Sequence, residues 1–326
     1  MTLVAVLSTG GTISSRPGVD DAMVSTDGAA DLVSRSAASG GVAVEAHDVV
    51  RIGSYRLGLG DLRTITEAVA EQLARPEVDG VVVTHGTDTL EETAFLLDLV
   101  HADPRPVVVT GAQRPATAPD GDGPRNLSDA IAVAASPHAR DCGVLVSFAG
   151  TVFGARGTRK MHTTAAQPFR TLDAGPLGTV LDGDVRISQR PERHKPLPAP
   201  TPAFDDARVD VVSVYPGADP ALIDASVAAG ARGLVLAATG LGNATPEIAQ
   251  AVRRHVEAGV VVALSSRVPE GPVRPVYGDG GGVDLVRAGA IVATDLPAYQ
   301  VRLLLAHLLT LDLAPADVTR LLAACS

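Results

Sequence analysis

The residues best suited to chemistry in this sequence are hydroxyls set beside glycines, a carboxylate next to one of them, and a lysine in a chain that otherwise uses arginine. The first group is Thr9-Gly10-Gly11-Thr12-Ile13. Two glycines let the backbone approach a ligand and expose amide N–H groups, and Thr12 then presents a hydroxyl at the mouth. The same residues suit a tight turn capped by Thr12. A phosphate-binding loop is a weaker reading, because the spacing departs from G-x-G-x-x-G and lacks the lysine of a P-loop. The second group is Thr84-His85-Gly86-Thr87-Asp88-Thr89. It follows an apolar run and precedes a helical pattern, so its amides can face an anion. Asp88 also suits a plain helix start, and His85 a buried strand-end histidine bonded to the backbone. The third feature is Lys160. Of 27 basic residues only Lys160 and Lys195 are lysine. Arginine stays charged in proteins, whereas lysine can act as a neutral amine base. Lys195, in a proline-rich stretch, illustrates the alternative that a lysine simply survived by chance. Thr87, Asp88 and Lys160 together would make a hydroxyl–base–carboxylate set. Ser54, in Ile52-Gly53-Ser54-Tyr55, suits either a substrate carboxylate or an ordinary turn.

These groups need a scaffold, and the hydrophobic pattern supplies one. Apolar runs at Thr2–Ser8, Asp79–Thr84, Pro106–Thr110 and Gly143–Phe148 read as strands. Helical spacing recurs at Leu62–Leu73, Leu90–Val100 and Asn126–Ala135. Thr89-Leu90-Glu91-Glu92 matches a capping box at the start of the second of these helices. Helix-length connections between apolar strands predict a parallel sheet covered on both faces. Its carboxyl-end loops, Ser8–Thr12, Thr84–Thr89, Thr110–Arg114 and Ser147–Thr151, would converge on one edge, where open parallel sheets bind ligands. Residues 190–207, with five prolines in RPERHKPLPAPTPAF, read as a linker. Alternation resumes with strands at Val209–Tyr215, Gly233–Ala237 and Val260–Leu264 and helices at Ala221–Ala229, Pro246–Ala258, Tyr299–Leu311 and Ala316–Ala324. Gly278–Gly282 reads as a loop. The expectation is an α/β chain of two domains: a larger N-terminal one over 1–189 with a parallel-rich sheet, and a smaller one over 208–326.

Composition narrows the function classes. A chain of 326 residues suits two domains. A net charge of −10 disfavours nucleic acid and anionic membranes. With no Trp and 3% aromatics, base-stacking platforms are not expected. No apolar run reaches the roughly 18 residues of a membrane span. Two cysteines are too few for a disulfide framework, and no basic, apolar leader is visible, so a cytoplasmic protein is expected. The eight histidines are scattered, and no metal site is predicted.

Taken together, Thr9–Ile13, His85-Gly86-Thr87-Asp88-Thr89-Leu90-Glu91-Glu92-Thr93, Gly111-Ala112-Gln113-Arg114-Pro115, Asp122-Gly123-Pro124-Arg125-Asn126-Leu127, Gly175-Pro176-Leu177-Gly178 and Ser265-Ser266-Arg267-Val268-Pro269 resemble the bacterial-type L-asparaginase (asparaginase/glutaminase) family, in the family's order and over nearly the whole chain. The resemblance implies a flavodoxin-like second domain, a homotetramer made of intimate homodimers, and active sites between the first domain of one subunit and the second of its neighbour. It implies hydrolysis of L-asparagine to L-aspartate and ammonia, with no cofactor. Thr12 matches the nucleophile, while Thr87, Asp88 and Lys160 match the group that activates water or assists attack. Ser54 matches the residue that holds the substrate α-carboxylate, and Asp88 would hold the α-ammonium. Gly11, Gly86, Tyr55 and Asn243 fall at substrate-binding positions, and amides of the glycine turn and of Thr87 are candidate oxyanion donors. Three departures stand out. No tyrosine lies between Thr12 and Ser54, the nearest position being Ala22–Met23. Tyr55 replaces a glutamine. Of the family's asparagine-plus-acid pair, Asn243 is present and Asp279 is the one acidic residue in Gly278–Gly282. Hydrolysis of glutamine or another amide, or a weakly active or non-catalytic amino-acid binder, are the alternatives.

Overall fold

The computed structural model describes residues 1–18, 20, 22–36 and 41–325. Two compact units divide the chain, Met1–Ala199 and Pro200–Ser326.

The first unit runs β1 (Thr2–Gly10), β2 (Ser15–Pro17), β3 (Met23–Ser25), α1 (Ala29–Arg35), β4 (Val42–Ile52), α2 (Leu59–Leu73), β5 (Gly80–Thr84), α3 (Leu90–Val100), β6 (Val107–Thr110), α4 (Gly123–Ala135), β7 (Val144–Phe148), β8 (Thr151–Gly154), β9 (Thr158–Lys160), β10 (Phe169–Thr171), β11 (Gly178–Leu181) and β12 (Asp184–Ile187). An eight-stranded sheet has the order β12-β11-β8-β7-β6-β5-β1-β4. Alternation places its side chains. Val4, Val6, Val82 and Val108 face Leu127 and Ile131 of α4 and Leu32 of α1. Ala5, Leu7, Val81, Val83, Val107 and Val109 face Ile65 and Val69 of α2 and Leu90 and Leu97 of α3. Both faces are therefore dry, which is why the strands read as unbroken apolar runs.

The first-domain sheet is parallel-rich, as expected; an antiparallel edge and strand β4 add to that reading, and the capping box departs from it. Strands β4, β1, β5, β6 and β7 are mutually parallel, and beyond them the pairs β7–β8, β8–β11 and β11–β12 are each antiparallel. Short hairpin connections after Phe148 replace helices, and the alternation of apolar runs carries no information about strand direction. Strand β4, of 11 residues, is not among the runs marked above. It is an edge strand, only half-buried, and carries Glu45, His47, Asp48 and Arg51, so its hydrophobic signal is diluted. The capping box at Thr89 is not formed. The Thr89 hydroxyl donates instead to the carbonyl of Ser54 at 2.9 Å.

The second unit runs β13 (Val209–Ser213), α5 (Ala221–Ala228), β14 (Gly233–Ala238), α6 (Pro246–Glu257), β15 (Val261–Ser266), α7 (Gly282–Arg287), β16 (Ile291–Val292), α8 (Ala298–Leu308) and α9 (Pro315–Cys325). Its four strands are parallel in the order β13-β14-β15-β16. Gly282, expected in a loop, opens the short helix α7, with Gly281 as its N-cap. The stretch between β12 and β13 holds only one turn of 3-10 helix, Pro202–Phe204. Among the described residues no helix is long and apolar enough to cross a membrane.

Candidate active site

Strands β4, β1, β5 and β6 are neighbours, and their carboxyl ends lie in register: Gly10 opposite Ile52, Ser8 opposite Thr84, Thr84 opposite Thr110. The chain leaves β1 toward β4 on one side and later resumes at β5 on the other. The crevice beside β1 is thus a point where the direction of winding reverses, the usual ligand position in such sheets.

Three loops meet there at van der Waals distance. Gly11 has φ +84°, and a Cβ on it would lie 2.4 Å from both N and Cα of Gly86. A Cβ on Gly86 would lie 2.6 Å from Ser54 Oγ. Only glycine fits at these two positions, so the loops of β1, β5 and β4 are locked together. They enclose a cavity of about 250 Å³, lined by Thr12, Ser54, Tyr55, Gly86, Thr87 and Asp88 among others. Its size suits a small metabolite rather than a large ligand.

Thr12 opens a single 3-10 turn, Thr12–Ser14, after the glycine pair. Among the described residues no hydrogen bond is made by its hydroxyl or its amide. Its neighbours are fixed by hydroxyls: the Gly11 amide donates to Ser25 Oγ at 2.9 Å, and Ser15 Oγ donates to the Gly11 carbonyl at 2.7 Å. The Gly11 N–H is therefore engaged within the protein, and the amides left to face a developing oxyanion are those of Thr12 and Thr87.

Thr87 sits in a denser network. Lys160 Nζ donates to Thr87 Oγ1 at 2.8 Å and to Asp88 Oδ1 at 3.0 Å. The lysine side chain is 16% exposed and the aspartate 58%, so the carboxylate keeps a face open to a ligand. Lys160 ends β9, whose partner strand β10 is pinned by buried Phe169, edge-on to Phe148 at 5.2 Å. The Lys160 amide donates to the Glu91 carboxylate in the first turn of α3. Burial pushes that carboxyl up to about 7, against the pull of the Lys160 N–H. Beneath the loop, burial drives the fully enclosed His85 ring down to about 4. Its Nδ1 lies 2.8 Å from the Gly86 carbonyl, which can only accept, and Nε2 lies 2.8 Å from Thr93 Oγ1. His85 is thus a neutral structural histidine, committed at both nitrogens.

Ser54 is buried, and its hydroxyl has no hydrogen-bond partner among the described residues. A hydroxyl left unpaired at a cavity wall is costly unless a ligand completes it. Tyr55, 73% exposed, forms part of the rim, with Met23 and Val24 of β3 where a loop tyrosine was sought. Asn243 belongs to the second unit, where its Oδ1 accepts the Gly282 amide at 3.1 Å.

One participant had no role assigned from sequence. Gln113, just past β6, accepts the Thr87 hydroxyl at 3.0 Å. Its motif Gly111–Pro115 stood out, but nothing in the linear order shows that the side chain reaches Thr87.

The family described as "Asparaginase, N-terminal" matches residues 3–193, and "Glutaminase/Asparaginase C-terminal domain" matches residues 208–322. The chain is 39% identical over 323 residues to a protein named probable L-asparaginase from Deinococcus radiodurans, covering 97% of this chain and 96% of that one. It is 32% identical to L-asparaginase 2 of Bacillus subtilis, covering 94% and 82%. It is also 32% identical to L-asparaginase 2 of Escherichia coli, covering 98% and 92%.

Proposed function

The chain belongs to the bacterial-type L-asparaginase family, and from that premise we infer that it hydrolyses L-asparagine to L-aspartate and ammonia. The observation that carries the chemistry is Lys160 Nζ bonded to both Thr87 Oγ1 and Asp88 Oδ1, at the wall of a cavity that also holds Thr12 and Ser54. An amide carbonyl needs a nucleophile, an anion pocket and a proton donor for the leaving group. Thr12, whose hydroxyl is engaged by no described residue, attacks the side-chain carbonyl. The amides of Thr12 and Thr87 face the resulting oxyanion. The C–N bond breaks, the nitrogen takes up a proton and leaves as ammonia, and the aspartyl group remains as an ester on Thr12. Water then attacks the ester, the acyl C–O bond breaks, and the Thr12 hydroxyl is restored. Thr87 orients that water while Lys160 manages its proton. Ser54 donates to the α-carboxylate, which gives its orphaned hydroxyl a partner, and Asp88 receives the α-ammonium.

The proposal extends to assembly. The chain self-associates as an intimate homodimer or a homotetramer, with Asn243 supplied to a neighbour's cavity. Light scattering and an Asn243→Ala variant test both points together. The cytoplasm is the proposed compartment, supported by a chain with only two cysteines.

Ammonia release from asparagine and glutamine across substrate concentration tests the reaction. A higher kcat/KM on glutamine or a longer amide would favour the second reading, for which the exposed Tyr55 at the rim speaks. Tight aspartate binding with no ammonia release would make the protein a binder instead.

A further inference from the structure

Thr87 and Gln113 together determine which way a proton can travel. The carboxamide of Gln113 has one donor end and one acceptor end. Its Nε2 lies 3.2 Å from the carbonyl of Thr163 and 3.1 Å from the carbonyl of Ala165. Carbonyl oxygens only accept, so the donor end must face these two. The acceptor, Oε1, is then left toward Thr87 Oγ1, 3.0 Å away. Thr87 owns a single hydroxyl hydrogen, and this arrangement commits it to Gln113. Lys160 Nζ occupies one lone pair at 2.8 Å. One lone pair of Thr87 remains, on a side chain that lines the cavity.

We propose that Gln113 is a positioning residue for the hydrolytic step: by holding the hydroxyl hydrogen of Thr87, it makes Thr87 an obligatory acceptor toward the cavity, so that it orients an attacking water rather than donating to the substrate. The backbone supports the clamp. The Gln113 and Arg114 amides both donate to Asp122, at 3.0 and 2.9 Å, and Asp122 also accepts from Asn126 Nδ2 at 3.2 Å. The two carbonyls held by Nε2 belong to the segment that follows Lys160. Gln113 thereby sets the hydroxyl orientation and ties down the neighbourhood of the lysine. A methionine at this position would fill similar volume but could neither accept from Thr87 nor hold the carbonyls.

The inference rests on the asparaginase reading, and the test separates the two. Gln113→Met, its folding checked by thermal melting, is assayed on asparagine beside the unsubstituted chain. Water attack follows loss of ammonia, so kcat should fall about ten-fold while kcat/KM stays within about two-fold. A second variant, Gln113→Glu, keeps an acceptor for Thr87. Only when protonated does it also offer a donor to the carbonyls. Its kcat at pH 8 should lie above that of Gln113→Met, because the carboxylate still accepts from Thr87, and should climb further toward that of the unsubstituted chain at the same pH as the pH is lowered toward 5 and the donor is restored, while Gln113→Met shows no such recovery. Equal falls in kcat and kcat/KM, or no change in either, overturn the proposal. A readout independent of turnover uses the two lysines of the chain. In lysine-labelled protein, the Lys160 side-chain NMR signal should move in Gln113→Met while that of Lys195 does not. If the unsubstituted chain releases no ammonia, the functional reading fails, and this signal alone decides the inference: a stationary Lys160 line overturns it.

Discussion

Thr12 and Thr87 each follow a buried parallel strand, and each comes directly after a glycine. Their surroundings differ in kind. Around Thr12 the supporting groups are neutral hydroxyls: Ser15 and Ser25 fix the Gly11 peptide, and the Thr12 side chain itself is engaged by no described residue. Around Thr87 they are titratable or amide groups: Lys160 and Gln113 touch its oxygen, Asp88 sits beside the lysine, and Glu91 and His85 lie behind. A hydroxyl with an uncommitted hydrogen can turn toward a base and attack. A hydroxyl whose hydrogen and one of its two lone pairs are spoken for is held in orientation, with the other lone pair left to accept. Two chemically identical side chains on neighbouring strand ends are thus assigned different work by what reaches them from elsewhere in the sheet.

The contrast breaks most visibly if either threonine is removed. Thr12→Ala and Thr87→Ala should each lower ammonia release from asparagine by at least about a thousand-fold with an unchanged melting temperature. Trapping of acyl-enzyme with stoichiometric ammonia should persist in Thr87→Ala alone, since only Thr12 carries the ester. Turnover retained in Thr12→Ala would reverse the assignment.

Next in size is the lysine. Lys160→Arg and Lys160→Ala should be alike, each losing about a hundred-fold or more in kcat, because arginine cannot accept a proton. A fully active Lys160→Arg variant would reduce the Thr87 side of the contrast to charge alone.

A stability measurement sharpens the difference between titratable and neutral backing. The Glu91 carboxyl, raised from 4.5 to about 7 by burial, holds its proton more tightly folded than unfolded. The folded chain therefore binds more protons between those values, and stability falls as pH rises through that window. His85, lowered from 6.5 to about 4, acts in the opposite sense and costs stability as pH falls through its own window. In the parent chain the two nearly cancel. Glu91→Gln keeps an acceptor for the Lys160 amide but removes the first slope. Relative to the parent, it should gain about 2–3 kcal/mol between pH 4.5 and pH 7, read by urea unfolding. A constant difference across that range would mean that Glu91 is ionised throughout.

The smallest effect belongs to the hydroxyl backing. Ser25→Ala removes the acceptor of the Gly11 amide and should cost about 1 kcal/mol of stability. Activity should fall only a few-fold. A loss as large as that of Thr12→Ala would show that Ser25 acts on the hydroxyl itself.

Much of this was readable in advance, and the gaps have causes. Four of the five parallel strands, β1, β5, β6 and β7, stand where strands dry on both faces must be apolar throughout. Strand β4 escaped because an edge strand mixes charges into its pattern. The antiparallel part of the sheet escaped because alternation is the same in either direction. Thr89 resembles a cap by spacing, yet its hydroxyl turns to Ser54, 35 residues earlier in the chain, a better acceptor position that only the closed fold provides. Ser54 reads as an ordinary turn serine in the sequence; in the fold its buried hydroxyl has no partner among the described residues.

The sequence by itself determined the ingredients: glycines where two backbones must nearly touch, threonines at strand ends, and a lysine where arginine is the habit. Those choices are local, since each depends on what one residue type can do that its neighbours on the scale cannot. Which threonine keeps a hydrogen free was decided only by the tertiary structure. Gln113, in the loop after β6, and Lys160, at the end of β9, reach Thr87 across 26 and 73 residues of chain, and no spacing rule registers a hydrogen bond made at that range.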